Sequence, residues 1–217
     1  MKGSTATVFD DVLNSSVKIK RFYSDMTKEV MDREVEMLRR VRPNICAPIV
    51  SYKYPHLRLQ KMDESLTGFV MRKQPTLDVI SRIIDDVSKF LIVMYADGMF
   101  HCDCTTNNVM LKYRTQQSEP LVFSIDVGIS KFRNEYIVGL PRVPDSRDKE
   151  YDFMFFLYSC LHCCEYMLDE LYEYISPFIE KMKYYFEKYH TNGRNHEWYR
   201  VGTLYKRFLW KISLEES

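Results

Sequence analysis

Hydrophobic and polar positions divide the chain into two stretches of different pattern. From Thr5 to Phe9 and from Val17 to Phe22 the residues are β-branched or alternate apolar with polar, and the Asp, Asn and Ser-rich run Asp10 to Ser16 separates them. That pattern predicts a β-hairpin. Thr27 to Val41 places Val30, Glu34, Met37, Leu38 and Val41 at helical spacing, with acidic residues early and Arg39 and Arg40 in the last turn. The helix dipole favours that order, and the helix is expected to stop before Pro43. Apolar runs at Ile45 to Tyr52 and Leu57 to Met62 predict two more strands. The polar step Asp63 to Ser65, followed by Gly68, reads as a connection between lobes.

Beyond Thr76 the period changes. Leu77, Ile80, Ile83, Ile84, Val87, Leu91 and Met94 recur at three- and four-residue intervals, Thr76 can cap the helix they predict, and Asp97-Gly98 ends it. Val109 to Tyr113 and Leu121 to Ile125 predict short strands joined by the polar loop Arg114 to Pro120. From Tyr151 onward the pattern is mostly helical: Phe153 to Cys160 is apolar all round and expected to be buried, and Glu165 to Tyr189 is amphipathic with a break at Pro177. No internal repeat is visible. The expectation is an α+β chain with a small sheet and one helix first and a mostly helical part after it.

Composition narrows the class. At 217 residues, 46% hydrophobic and 28% charged, the chain can bury a real core and lies outside disordered and low-complexity compositions. Basic and acidic residues nearly balance, 31 against 30, so no nucleic-acid partner is indicated and any charged site must be local. The six cysteines form no spaced framework and read as reduced thiols; Cys160 and Cys163 have C-x-x-C spacing, but no second such pair joins them to mark a structural zinc site. The first residues meet two aspartates before any long apolar run, and the longest mostly apolar stretch, Phe90 to Tyr95, is too short to span a bilayer. No membrane partner is expected. The expected location is intracellular and cytoplasmic, with the nucleus left open and a host cell if the chain is viral.

The chemistry concentrates in two segments. His101, Cys102, Asp103, Cys104, Thr105, Thr106, Asn107 and Asn108 have the form H-x-D-x-x-x-x-N ahead of a predicted strand. That spacing places in one loop a carboxylate able to accept a hydroxyl proton and an amide oxygen able to coordinate a divalent ion. Eighteen residues after Asn108, at the end of a β-rich run, Asp126-Val127-Gly128 has the form of a metal-binding D-x-G turn.

With these two segments the chain resembles the eukaryotic-type protein kinase superfamily, and the first stretch extends the resemblance. Val17-Lys18-Ile19-Lys20 is similar to the strand that carries the phosphate-binding lysine, which makes Lys20 that candidate, and Glu34 on the predicted helix is its ion-pair partner. Gly3 to Val8 is similar to the end of a glycine-rich loop, with Gly3 and Ala6 covering the phosphates and Val8 against the base. Leu57 to Leu66 is similar to the fifth strand and hinge, with Leu59 as gatekeeper and Gln60 to Met62 along the adenine edge. Met110 would form the adenine floor, and Asp152 would be the buried aspartate that supports the catalytic loop.

The resemblance spans roughly residues 3 to 160 and implies a two-lobed fold, residues 1–66 and 67–217. It implies ATP and Mg2+ as cofactors, Asp103 as the base, Asn108 and Asp126 as metal ligands, and a protein Ser or Thr hydroxyl as acceptor. The departures are specific. Lys18 stands where a small Ala usually packs on adenine, Met1 and Ala6 stand where glycines would, Cys102 replaces the Arg that receives a loop phosphate, and Thr105 replaces a Lys. Asp152 follows Asp126 by only 26 positions, with no A-P-E, so the peptide-docking shelf is abbreviated. Two alternatives follow: a kinase-fold scaffold or inhibitor of another kinase, and an ATPase or kinase similar to the small KEOPS-complex kinase, which works with a partner protein in tRNA modification; the trimming is similar to that of very compact viral kinases as well. A regulatory protein partner belongs to the expectation. The Tyr and basic mixture from His190 to Lys211 is assigned no role.

Overall fold

The structure, a computed structural model, describes residues 6–42, 45–115, 119–127, 130–132 and 148–190, the side chains of 186–190 aside. It is mixed α+β. Strands β1 (Ala6–Asp10), β2 (Val17–Phe22), β3 (Ile49–Lys53) and β4 (His56–Gln60) form an antiparallel sheet in the order β1-β2-β4-β3. Helix α1 (Lys28–Arg40) lies between β2 and β3 in the chain. The hairpin turn forms because short polar side chains bond their own backbone: Asp11 Oδ1 accepts the Leu13 N–H at 3.0 Å and Asn14 Oδ1 the Ser16 N–H at 3.0 Å. Arg58 on β4 then pairs with the buried Asp11 carboxylate and ties the turn to the sheet.

Helix α1 begins after an extended Thr27, carries Glu29 in its first turn and Arg39 and Arg40 in its last, and buries Met31, Val35, Met37 and Leu38. The same stripe buries Glu34, 2% exposed, and a carboxylate among apolar neighbours needs a partner.

The remaining described residues are mainly helical. The elements are β5 (Glu64–Ser65), α2 (Leu66–Lys73), α3 (Leu77–Ala96), β6 (Met99–Phe100), β7 (Val109–Lys112), β8 (Leu121–Ser124), β9 (Lys131–Phe132), α4 (Tyr151–Cys163), α5 (Leu168–Ile175) and α6 (Ile179–His190). Strands β5, β7 and β8 form one small antiparallel sheet, and β6 pairs with β9. The apolar stripe of α3 is buried, from Ile80 to Met94; α4 buries Met154, Phe156, Leu157, Cys160 and Leu161 on one side, while Phe153, Phe155 and Tyr158, expected to be buried as well, are only half-buried. One core runs from Phe22 and Leu38 through Leu66, Val109 and Leu111 to Leu157 and Leu171. Among the described residues no helix is long and apolar enough to cross a membrane.

The sequence-based expectations differ from the structure at three places. The strand expected from Ile45 begins at Ile49, because the residues before it pair elsewhere: the Ser124 N–H bonds the Ile45 carbonyl, and Cys46 bridges Ser124. The strand expected to reach Met62 ends at Gln60, since the Lys61 N–H turns to the Ser16 carbonyl and the Asp63 N–H to Leu111. The expected connection around Gly68 is in fact β5 followed by helix α2, started by Ser65, whose hydroxyl accepts the Gly68 N–H at 3.1 Å. The expected break at Pro177 falls in the 3-10 turn Ser176–Phe178 that separates α5 from α6.

Candidate active site

Strand pairing decides which β2 side chains face α1. Val8 lies opposite Lys20, and Lys18 and Lys20 lie opposite Leu59 and Leu57. Directly opposed residues project to one face, so Val8, Lys18, Lys20, Leu57 and Leu59 share it. Lys20 is 7% exposed, and its ammonium lies 2.8 Å from both carboxylate oxygens of Glu34 and 2.9 Å from Asp126 Oδ1. The buried acid on α1 thus finds its partner, and that partner also holds the first residue of the D-x-G turn.

Burial alone would lower the Lys20 pKa, but the Glu34 and Asp126 carboxylates outweigh it and hold the amine above its ordinary value. Glu34 has one cation for a nearly complete loss of water, so burial pushes its carboxyl up against the pull of Lys20. Asp126 keeps half its side-chain exposure and sits at a φ of 58°. A left-handed aspartate costs on the order of 1 kcal/mol and persists only where its surroundings hold it.

The loop between β6 and β7 is pinned from several sides. Asp152, at the start of α4, accepts the His101 N–H at 2.7 Å and the Cys102 N–H at 2.8 Å, across a Cys102 φ of 67°. The Asp103 N–H donates to His101 Nδ1 at 3.3 Å, so the ring proton is on Nε2, 2.6 Å from Ser124 Oγ. Burial lowers the His101 pKa to about 4, which keeps the ring neutral. Thr106 is held by Ser159 of α4, whose hydroxyl accepts its N–H at 2.9 Å, and by Thr67 of α2, whose hydroxyl lies 2.9 Å from its own.

Within this frame Asn108 Nδ2 donates to Asp103 Oδ2 at 2.8 Å and to the Asp103 carbonyl at 3.0 Å. The amide oxygen of Asn108 is therefore turned away from Asp103. Pairing of Val109 with Ser124, and the Ile125 N–H bond to the Asn108 carbonyl, bring Asn108 beside the start of the Asp126 turn. The structure thus joins Lys20, Glu34 and Asp126 in one cluster and Asp103 and Asn108 in another, with Ile125 as the link between them.

The other predicted positions have these places. Ala6 is buried opposite Phe22, Val8 is half-buried, Gln60 is exposed at the end of β4, and Met62 is buried just after it. Met110 is half-buried and alternates with the buried Val109 and Leu111, so it projects from the other side of β7. Lys18 is half-exposed and pairs with Asp10 at 3.0 Å, as Lys61 does at 2.9 Å. Gly3 and Gly128 lie outside the described residues.

Sequence reasoning missed the supports: Thr67, Thr106, Ser124, Ser130 and Ser159 are small polar residues whose role depends on tertiary neighbours. Only α2 left a readable signal, since Ser65 followed by Leu66, Phe69 and Val70 has a cap and helical spacing. No protein-family model matches the chain. A search of curated proteins also gives no match.

Proposed function

We propose that the chain is a two-lobed, protein-kinase-like enzyme, with lobes at residues 1–66 and 67–217, that transfers the γ-phosphoryl group of Mg-ATP to a protein Ser or Thr hydroxyl. The observation that carries this reading is the buried Lys20 ammonium held between Glu34 and Asp126. A buried charge cluster is a poor way to stabilise a fold, because desolvation offsets most of the attraction. It makes physical sense where an ammonium must be held ready for phosphate oxygens.

In this reading Lys20, fixed by Glu34, binds the nucleotide phosphates, and Val8, Gln60, Met62 and Met110 surround the base. Gly3 and Ala6 belong to the cover over the phosphates. Asp103 accepts the proton of the acceptor hydroxyl as its oxygen bonds to phosphorus and the bond to the β-phosphate oxygen breaks, with ADP as leaving group. Asn108 and Asp126 offer hard oxygen donors suited to magnesium, which supplies charge neutralisation at the phosphates. Among the described residues no group of three or more His, Cys, Asp or Glu could hold a metal ion alone, so phosphate oxygens would complete such a site. Rate enhancement would come from positioning and charge.

One observation favours a non-catalytic reading, a kinase-fold scaffold. Lys18 shares the Lys20 face and puts a charged chain where a base would pack. Transfer of labelled γ-phosphate to generic Ser/Thr acceptors, by wild type and by Asp103→Asn shown to be folded, separates the two. Label from wild type, lost in the variant while ATP binding persists, is the expected result. No label and no magnesium-dependent ATP binding by wild type would overturn the enzyme.

A further inference from the structure

Ser130 is fully buried and touches three parts of the site. Its N–H donates to the Val127 carbonyl at 3.0 Å, its hydroxyl donates to the His101 carbonyl at 3.0 Å, and its own carbonyl accepts from Arg33 Nη2 at 2.9 Å. Arg33 precedes Glu34 on α1. A closed circuit follows: Arg33 to Ser130, through the turn to Val127 and Asp126, from Asp126 to Lys20, from Lys20 to Glu34, and back along one peptide to Arg33. A branch through His101 reaches Asp103, because the Asp103 N–H rests on the His101 ring. Two turns of helix beyond Arg33, Arg40 lies over the Phe132 ring at 4.5 Å, while Phe132 pairs with Met99 ahead of the loop.

We propose that Arg33 is a positioning residue: its hydrogen bond to the Ser130 carbonyl holds α1, the Asp126 turn and the Asp103 loop in one register. This inference rests on the phosphoryl-transfer reading above. A guanidinium that bonds a backbone carbonyl acts whatever side chains the turn carries and needs no added phosphate. Position 102, next to the same carbonyl of His101, holds a cysteine, and Arg33 brings a cation from α1 to the segment beside it. Without it Lys20 still meets Glu34, both being anchored on β2 and α1, but the segment 130–132 loses its hydrogen bond to the helix and keeps the Arg40 contact with Phe132.

The test compares wild type, Arg33→Ala and Arg33→Lys, with Asp103→Asn as the activity control. For Arg33→Ala the expected result is a kcat lowered at least about tenfold with KM for Mg-ATP changed less than about threefold, since nucleotide contacts remain while alignment is lost. Arg33→Lys keeps one donor toward the carbonyl and should recover part of the rate. Hydrogen exchange of the ligand-free proteins should show faster exchange in peptides covering 99–108 and 130–132 in Arg33→Ala, with α1 unchanged. Wild-type transfer accompanied by unaltered kcat in Arg33→Ala, or unaltered exchange in those peptides, overturns the role of Arg33 alone. A wild type that transfers no phosphate overturns the kinase reading and the catalytic sense of this role together.

Discussion

Asp152→Asn gives a direct handle on the loop that carries Asp103. The Asp152 carboxylate is 6% exposed and accepts two backbone N–H groups, one on each oxygen. Burial raises its pKa from 3.8 to about 6, against the pull of those N–H groups. Because the folded value lies above the unfolded one, the native state binds a proton between about pH 6 and about pH 4 that the unfolded chain does not. The stability this group contributes is therefore complete below the unfolded pKa and is lost as pH rises through about 6. At about 1.36 kcal/mol per pKa unit, the gap amounts to about 3 kcal/mol. Urea denaturation of wild type and Asp152→Asn from about pH 4 to about pH 8 isolates it, since titrations common to both proteins cancel in the difference. The stability of wild type relative to the variant should fall by about 3 kcal/mol across that range. A difference flat to within about 1 kcal/mol, or one that grows with pH, would refute the reasoning. Transfer activity should move the other way, because protonating Asp152 turns an acceptor oxygen into a hydroxyl facing a donor N–H. Acid then tightens the fold while loosening the loop.

Two further outcomes are expected. Lys20→Met leaves Glu34 buried without its cation and should cost about 3–5 kcal/mol in urea denaturation, with more than about 1 kcal/mol returned by adding Glu34→Gln; strictly additive costs would mean the two side chains are not coupled. Gly98→Ala should cost about 1 kcal/mol, because Gly98 has a φ of 79° while a Cβ there would meet nothing within 4 Å, and a stabilised variant would contradict the left-handed backbone.

Much of the fold was legible because it follows from periodicity. The hairpin, α1, α3 and the β7–β8 pair bury stripes whose spacing stands in the sequence, and the breaks at Asp97-Gly98 after α3 and at Pro177 after α5 act locally. Helix α2 was obscured by Gly68, a residue that usually interrupts helices but here lies in a first turn whose N–H is taken by Ser65. Two-residue strands such as β6 and β9 carry no period at all. They exist because the loop and the segment after Asp126 need each other's backbone.

The polar residues of the candidate site were legible for a different reason. Lys20, Glu34, Asp103, Asn108 and Asp126 stand out because their spacing matches a known order of functional groups, not because any local preference places them. Glu34 even violates the apolar stripe it sits in, and that violation marks it. The residues that hold this set in place had no such mark. Ser130 and Thr106 look like ordinary loop residues, yet each is buried with its hydroxyl bonded to a part of the chain more than 25 residues away. Arg33 looks like one more surface charge on a helix with many. A small hydroxyl serves at such a junction because it can donate and accept within a few ångströms without the volume that would push the joined segments apart. What the sequence names is the chemistry proposed above. The rigidity that chemistry needs is written in side chains whose meaning appears only after the chain has folded back on itself.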